Sequence, residues 1–191
     1  MDFHFLPRPT TLLHDILKSK ICSGDKVIDA TAGNGHDTVF LAECVGKTGN
    51  VLAFDVQEAA IISARERLAA TGYSERVGFY QKSHAEMGNH AAPESVSAIL
   101  FNLGYLPGED HALTTELGET LRALEIATNL LRSGGVLSVI CYPGHPAGAI
   151  EAEAVEKWAA ALATRGWRIA KYGAIGTRRP APFLLLIHKF S

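Results

Sequence analysis

No apolar run in this chain approaches the roughly 18 residues that a membrane-spanning helix needs. The most continuous one, Phe183 to Ile187, is the size of a strand. The opening Met1-Asp2-Phe3-His4-Phe5-Leu6-Pro7-Arg8-Pro9 lacks both the basic start and the apolar block of a secretion signal. Cysteine is scarce: Cys22, Cys44 and Cys141 are odd in number and have no metal-ligand spacing, which excludes a disulfide framework and a cysteine metal site. These absences predict a soluble, cytoplasmic chain with reduced thiols, no metal and no membrane partner. A net charge of −2 excludes a generally basic nucleic-acid binder.

What is present is an α/β composition. Hydrophobic residues at 47% and 18 glycines fit alternating strands and helices joined by tight turns. At 191 residues the chain is expected to form one domain over 1–191, with residues 1–22 as an N-terminal helical segment packed on it. The small net charge hides an asymmetry. From Lys157 to Ser191 there are seven Lys or Arg and no Asp or Glu, leaving 11 basic residues among all 20 acidic ones before that point. Such a face suits a polyanion on one side of the molecule, and Arg178, Arg179 and Lys171 are its candidate contacts.

Along the chain, Leu12, Leu13, Ile16 and Leu17 mark a helix from Thr10 to Lys20 with Thr10 as its cap. Strands are expected at Lys26–Asp29, Val51–Val56, Val77–Gln81, Val96–Phe101 and Val136–Tyr142. Helices are expected at Thr38–Val45, Glu58–Ala70, Leu117–Leu131 and Ala152–Thr164. Trp167–Tyr172 and Phe183–Lys189 are two further strands. The loop of about ten residues between them is too short for a parallel crossover, so they must run antiparallel. The fold class predicted is therefore a Rossmann-like α/β domain. Its sheet is seven-stranded and mostly parallel, with a C-terminal antiparallel hairpin and helices on both faces.

The segment Val27 to Thr38 reads as strand, glycine turn and helix start, and Asp55 follows at the end of the second strand, 22 residues after Gly33. That layout binds a nucleoside-containing cofactor. The third glycine of the dinucleotide fingerprint is missing, since Thr38 holds its place, and Asp29 puts a carboxylate on the first strand. An acid there suits a cationic ligand, which points to S-adenosylmethionine rather than NAD. Gly33 and Gly35 let the ligand approach, and Thr31, Asn34, His36 and Asp37 belong to the same turn and helix start. Asp29 is placed to hold an ammonium group directly or through water. Asp55 is placed to accept ribose hydroxyls, with Gln57 beside it. Ser83 and His84 follow the third strand where an adenine edge would lie, and His84 reads equally as an ordinary surface histidine.

Two further loops leave the same edge. Asn102-Leu103-Gly104-Tyr105-Leu106-Pro107-Gly108 offers an amide and an aromatic, which together can aim an amine at a methyl donor and stack on a planar ring. Tyr142-Pro143-Gly144-His145-Pro146 holds a histidine between prolines. A primary alkylamine has a pKa of about 10 and must lose a proton before it attacks, so His145 and Tyr142 are the candidate proton acceptors.

The run Asp29 to Thr38, the Asn102 to Gly108 loop and the Cys141-Tyr142-Pro143-Gly144-His145-Pro146 exit occur in order across nearly the whole chain. Together they resemble the small bacterial "putative rRNA methylase" family of S-adenosylmethionine-dependent methyltransferases. The resemblance implies a class I methyltransferase fold with S-adenosyl-L-methionine as cofactor. It also implies methylation of the amino group of 5-aminomethyl-(2-thio)uridine at the tRNA wobble position. The implied partner is the tRNA anticodon stem-loop, gripped by the basic C-terminal segment; a homodimer stays open. Methylation of rRNA or of a small-molecule amine is the alternative, ahead of a non-catalytic RNA module and an NAD enzyme.

Overall fold

The computed structural model describes residues 6–104 and 117–190. The apolar runs form β1 (Lys26–Asp29), β2 (Asn50–Asp55), β3 (Val77–Gln81), β4 (Val96–Leu103), β5 (Leu131–Cys141), β6 (Arg168–Gly173) and β7 (Phe183–His188). Between them lie α1 (Pro9–Lys18), α2 (His36–Cys44), α3 (Glu58–Ala69), α4 (Leu117–Leu130) and α5 (Pro146–Ala163), with 3-10 turns at Ser74–Arg76 and His84–Asn89. All seven strands join one sheet in the order β3-β2-β1-β4-β5-β7-β6. β1 to β5 are parallel, and β7 runs antiparallel to both β5 and β6. The chain winds outward from β1 to β3 and then returns to place β4 on the other side of β1. That reversal opens a crevice at the carboxyl ends of the central strands.

Successive side chains on a strand face opposite sides, so the sheet carries two cores. Ile28, Phe54, Phe101 and Val139 bury one face with Leu124 of α4 and Val155 of α5. Val27, Val51, Leu100 and Ile140 bury the other with Leu41 of α2 and with Leu13 and Leu17 of α1. Leu13 and Leu17 are 1% and 0% exposed, so α1 is part of the second core.

Several boundaries differ from the sequence expectation, each for a local reason. α1 starts at Pro9 with Arg8 in the cap position and no side-chain cap, so Thr10 is not its cap; proline at the first position supplies the preset φ instead. α2 starts at His36, because Gly35 in the left-handed conformation breaks the chain just before it. α5 starts at Pro146 because the His145 side chain caps it. β4 runs on through Asn102 to Leu103, paired with Ile140 and Cys141 of β5. Asn102 therefore sits on the end of a strand rather than in a loop.

Candidate active site

The functional side chains gather at the carboxyl ends of β1, β2, β4 and β5. Asp29 ends β1 and is 1% exposed. Thr38 Oγ1 donates to its Oδ2 at 2.6 Å, and the Thr31 amide donates to its Oδ1 at 3.2 Å. Thr38, which occupies the place of the missing glycine, thus ties the first turn of α2 to the strand. Burial, then the neighbouring Asp37, pushes the Asp29 carboxyl up to about 7, and the Thr38 and Thr31 bonds pull it the other way. Both oxygens turn into the protein, so Asp29 acts on the crevice through the turn it shapes.

Gly33 and Gly35 are both left-handed, with φ of 50° and 78°. A Cβ on Gly33 would meet nothing closer than Thr31 O at 3.8 Å, so its open side faces the crevice. A Cβ on Gly35 would stand 2.7 Å from the Ala64 Cα. The missing side chain of Gly35 therefore admits helix α3. Asn34 is held from the same helix, since Arg67 Nε donates to its carbonyl at 2.6 Å. His36 is exposed at the start of α2, whose end has no side-chain cap.

Asp55 ends β2 and accepts two backbone amides, Gly33 at 2.9 Å and Gln57 at 3.0 Å. The bond to Gly33 links the acid to the glycine turn across 22 residues, and each oxygen keeps acceptor capacity. Gln57 Oε1 is buried without a partner. His84 is not a surface residue: it is 7% exposed, packs edge-on against Phe101, and its Nδ1 lies 3.2 Å from the Ala30 carbonyl. A carbonyl only accepts, so the proton sits on Nδ1 and Nε2 carries a lone pair, buried and unpartnered. Burial lowers the His84 pKa and keeps the ring neutral. Ser83 beside it donates to Glu119 Oε2 at 2.6 Å.

On the β4 and β5 side, the Asn102 amide nitrogen of the main chain donates to Thr31 Oγ1 at 2.8 Å. Its side-chain Nδ2 donates to Asp37 Oδ2 at 3.3 Å. Tyr142 leans on Gly104, where a Cβ would meet its ring at 3.3 Å, and shares a side-chain hydrogen bond with Asn102. Burial, then Asp37, raises the Tyr142 pKa, so the phenol stays protonated and is a poor proton acceptor. His145 Nδ1 accepts the Gly148 amide at 3.1 Å. That nitrogen is therefore occupied in capping α5. Tyr105 and the rest of that expected loop to Gly108 lie outside the described residues.

One member of the cluster was not legible in the sequence. His14 of α1 places Nε2 2.7 Å from Asp37 Oδ1 and stacks on Phe40 with ring centroids 3.8 Å apart. It sits on a helical stripe 23 residues before Asp37, and only the packing of α1 against α2 brings the two together.

The basic segment is largely neutralised. Lys171 pairs with Glu156 and lies over the Phe183 ring. Lys157, Arg165 and Lys189 pair with Glu153, Glu125 and Glu94, and Arg168 covers Phe190. Arg178 and Arg179 are exposed in the loop between β6 and β7. That loop sits at the crevice edge, since Phe183 pairs with Cys141 and the Pro180 carbonyl faces Gly144.

A family profile described as "Putative rRNA methylase" matches residues 51–188. The tRNA (mnm(5)s(2)U34)-methyltransferase, chloroplastic, of Arabidopsis thaliana is 37% identical over 95% of this chain and 69% of its own length. The crystal structure of a putative rRNA-methylase from Clostridium thermocellum superposes with a TM-score of 0.93 at 34% identity, covering 97% of this chain and 99% of that one. A putative methyltransferase from Streptococcus mutans, solved in complex with SAH, gives 0.88 at 32% identity, covering 97% and 100%.

Proposed function

Since this chain belongs to the family of putative rRNA methylases, we propose that it is an S-adenosyl-L-methionine-dependent N-methyltransferase acting on the aminomethyl group of 5-aminomethyl-(2-thio)uridine at the tRNA wobble position. The relative from Arabidopsis thaliana, a tRNA (mnm(5)s(2)U34)-methyltransferase, supports the acceptor. The observation that carries the reading is Asn102, fixed at the end of β4 by Thr31 and Asp37 beside the glycine turn.

The residues present fit the cofactor. Asp55 with Gln57 suits a ribose diol, and the uncapped start of α2 beside the open face of Gly33 suits a carboxylate. The orphaned acceptors Gln57 Oε1 and His84 Nε2 suit hydroxyl or exocyclic amine donors. When bound, the cofactor supplies a methyl group on a cationic sulfur. Asn102 Oδ1 accepts one N–H of the acceptor amine and aims its lone pair, and Tyr142, kept neutral, supplies a hydroxyl beside it. Asp29 shapes the glycine turn and the start of α2 by accepting from the Thr31 amide and the Thr38 hydroxyl. Arg178 and Arg179 take phosphates of the anticodon stem-loop at the crevice edge.

The test is to incubate the pure protein with S-adenosyl-L-methionine and undermodified tRNA, digest, and weigh the nucleosides. A methyl gain on aminomethyluridine is expected. Gain on rRNA or on a metabolite amine instead would move the acceptor to those classes. Asp55→Ala should weaken cofactor binding about tenfold or more, the worth of charge-assisted hydrogen bonds. Asn102→Ala should leave that affinity within about twofold and lower kcat about tenfold or more, because it removes positioning.

A further inference from the structure

Asn102 can present either end of its amide to an acceptor, and only one end is useful. A carboxylate accepts and does not donate. Asp37 Oδ2 therefore draws Nδ2 toward itself at 3.3 Å. Tyr142, whose hydroxyl can donate or accept, does not choose between the two ends, so Oδ1 is left as the acceptor end. The other Asp37 oxygen is held by His14 Nε2 at 2.7 Å, and His14 is itself clamped by its stack on Phe40. Thr31 fixes the Asn102 main chain from the opposite side. We infer that His14 and Asp37 are positioning residues for methyl transfer: α1 and α2 together orient the Asn102 amide so that its oxygen, not its nitrogen, meets the acceptor amine.

The inference rests on the amine-acceptor reading, and it gives α1 a part in the reaction beyond packing. Without His14, the Asp37 carboxylate loses one of its two holds and can swing away from Asn102. With Asp37→Asn the partner can donate as well as accept, so both orientations of the Asn102 amide become allowed. A glutamine at position 14 places an amide nitrogen near the position of Nε2 and should preserve the hold.

The experiment combines kinetics and spectroscopy on the full chain, with thermal melts to confirm that each variant folds. In wild type the Asn102 side-chain amide should give a distinct pair of proton–nitrogen signals, assigned by their loss in Asn102→Ala. Asp37→Asn should shift or broaden them. His14→Ala should lower kcat for tRNA methylation about tenfold with the cofactor affinity unchanged within about twofold, and His14→Gln should recover most of that loss. Asp37→Asn added to Asn102→Ala should cost nothing further, because both act through one amide. Unchanged kcat in His14→Ala, or multiplying losses in the double variant, would overturn the relay. Wild type that methylates no tRNA would overturn the acceptor reading instead, and the amide signals would then decide the relay: unmoved signals in Asp37→Asn reject it.

Discussion

Asp29 is the residue where sequence and structure assign different work to one side chain. A strand-end acid before a glycine turn reads as a ligand for a cation, yet the structure turns both oxygens inward onto Thr38 and Thr31. Burial and the nearby Asp37 raise its pKa from 3.8 to about 7. A carboxyl whose folded pKa lies above its unfolded value binds its proton more tightly when folded. The stability it contributes is thus full below about pH 4 and is lost as pH climbs through about 7. Replacing it with asparagine keeps an acceptor for these partners and removes the titration. The melting temperature of wild type relative to Asp29→Asn should therefore fall between pH 5 and pH 8, and a flat difference would show that the acid ionises freely. Thr38 was read from sequence only as the glycine that is missing. Its hydroxyl bond spans nine residues and depends on the turn between, which residue type alone does not encode.

At the scale of elements, the period of the apolar residues was enough to place β1, β3 and the terminal hairpin, and the short β6–β7 loop forced the antiparallel pairing. Starts were harder, because caps are local chemistry: Gly35 and His145 begin α2 and α5 through a left-handed φ and a side-chain acceptor inside segments that read as loop. The same turn shows why a glycine motif cannot be read uniformly. Gly35→Ala forces a Cβ to within 2.7 Å of the Ala64 Cα and also strains a left-handed φ. It should cost about 2–4 kcal/mol, read as a lower urea midpoint at constant m-value. Gly33→Ala meets open space, so only the φ penalty of about 1 kcal/mol applies, and its main effect should be weaker cofactor binding measured by calorimetry. Equal loss of stability in the two variants would refute this division of labour. His14 belongs to this scale too, since its partners Asp37 and Phe40 are set only by the packing of α1 on α2.

For the molecule as a whole, the distribution of charge decides where the proposed tRNA substrate can dock. The basic residues cluster at one end of the sequence, but folding sets glutamates from α4, α5 and the turn before β4 against most of them. Partner choice of this kind depends on which helices become neighbours, so composition cannot report it. What survives is local: Arg178 and Arg179, exposed on a loop that the β5–β7 pairing holds at the mouth of the crevice. Under the proposed function these two exposed cations neutralise two phosphates, and each such contact contributes about 0.7–0.9 to the slope of log affinity against log salt. Changing both arginines to alanine should raise the KM for tRNA, leave cofactor affinity untouched and flatten that slope by about 1.5. Lys171→Ala should leave the slope where it is, because Glu156 already holds that charge. A slope that falls with Lys171 and not with the arginine pair would move the RNA from the crevice mouth to the outer face of the hairpin.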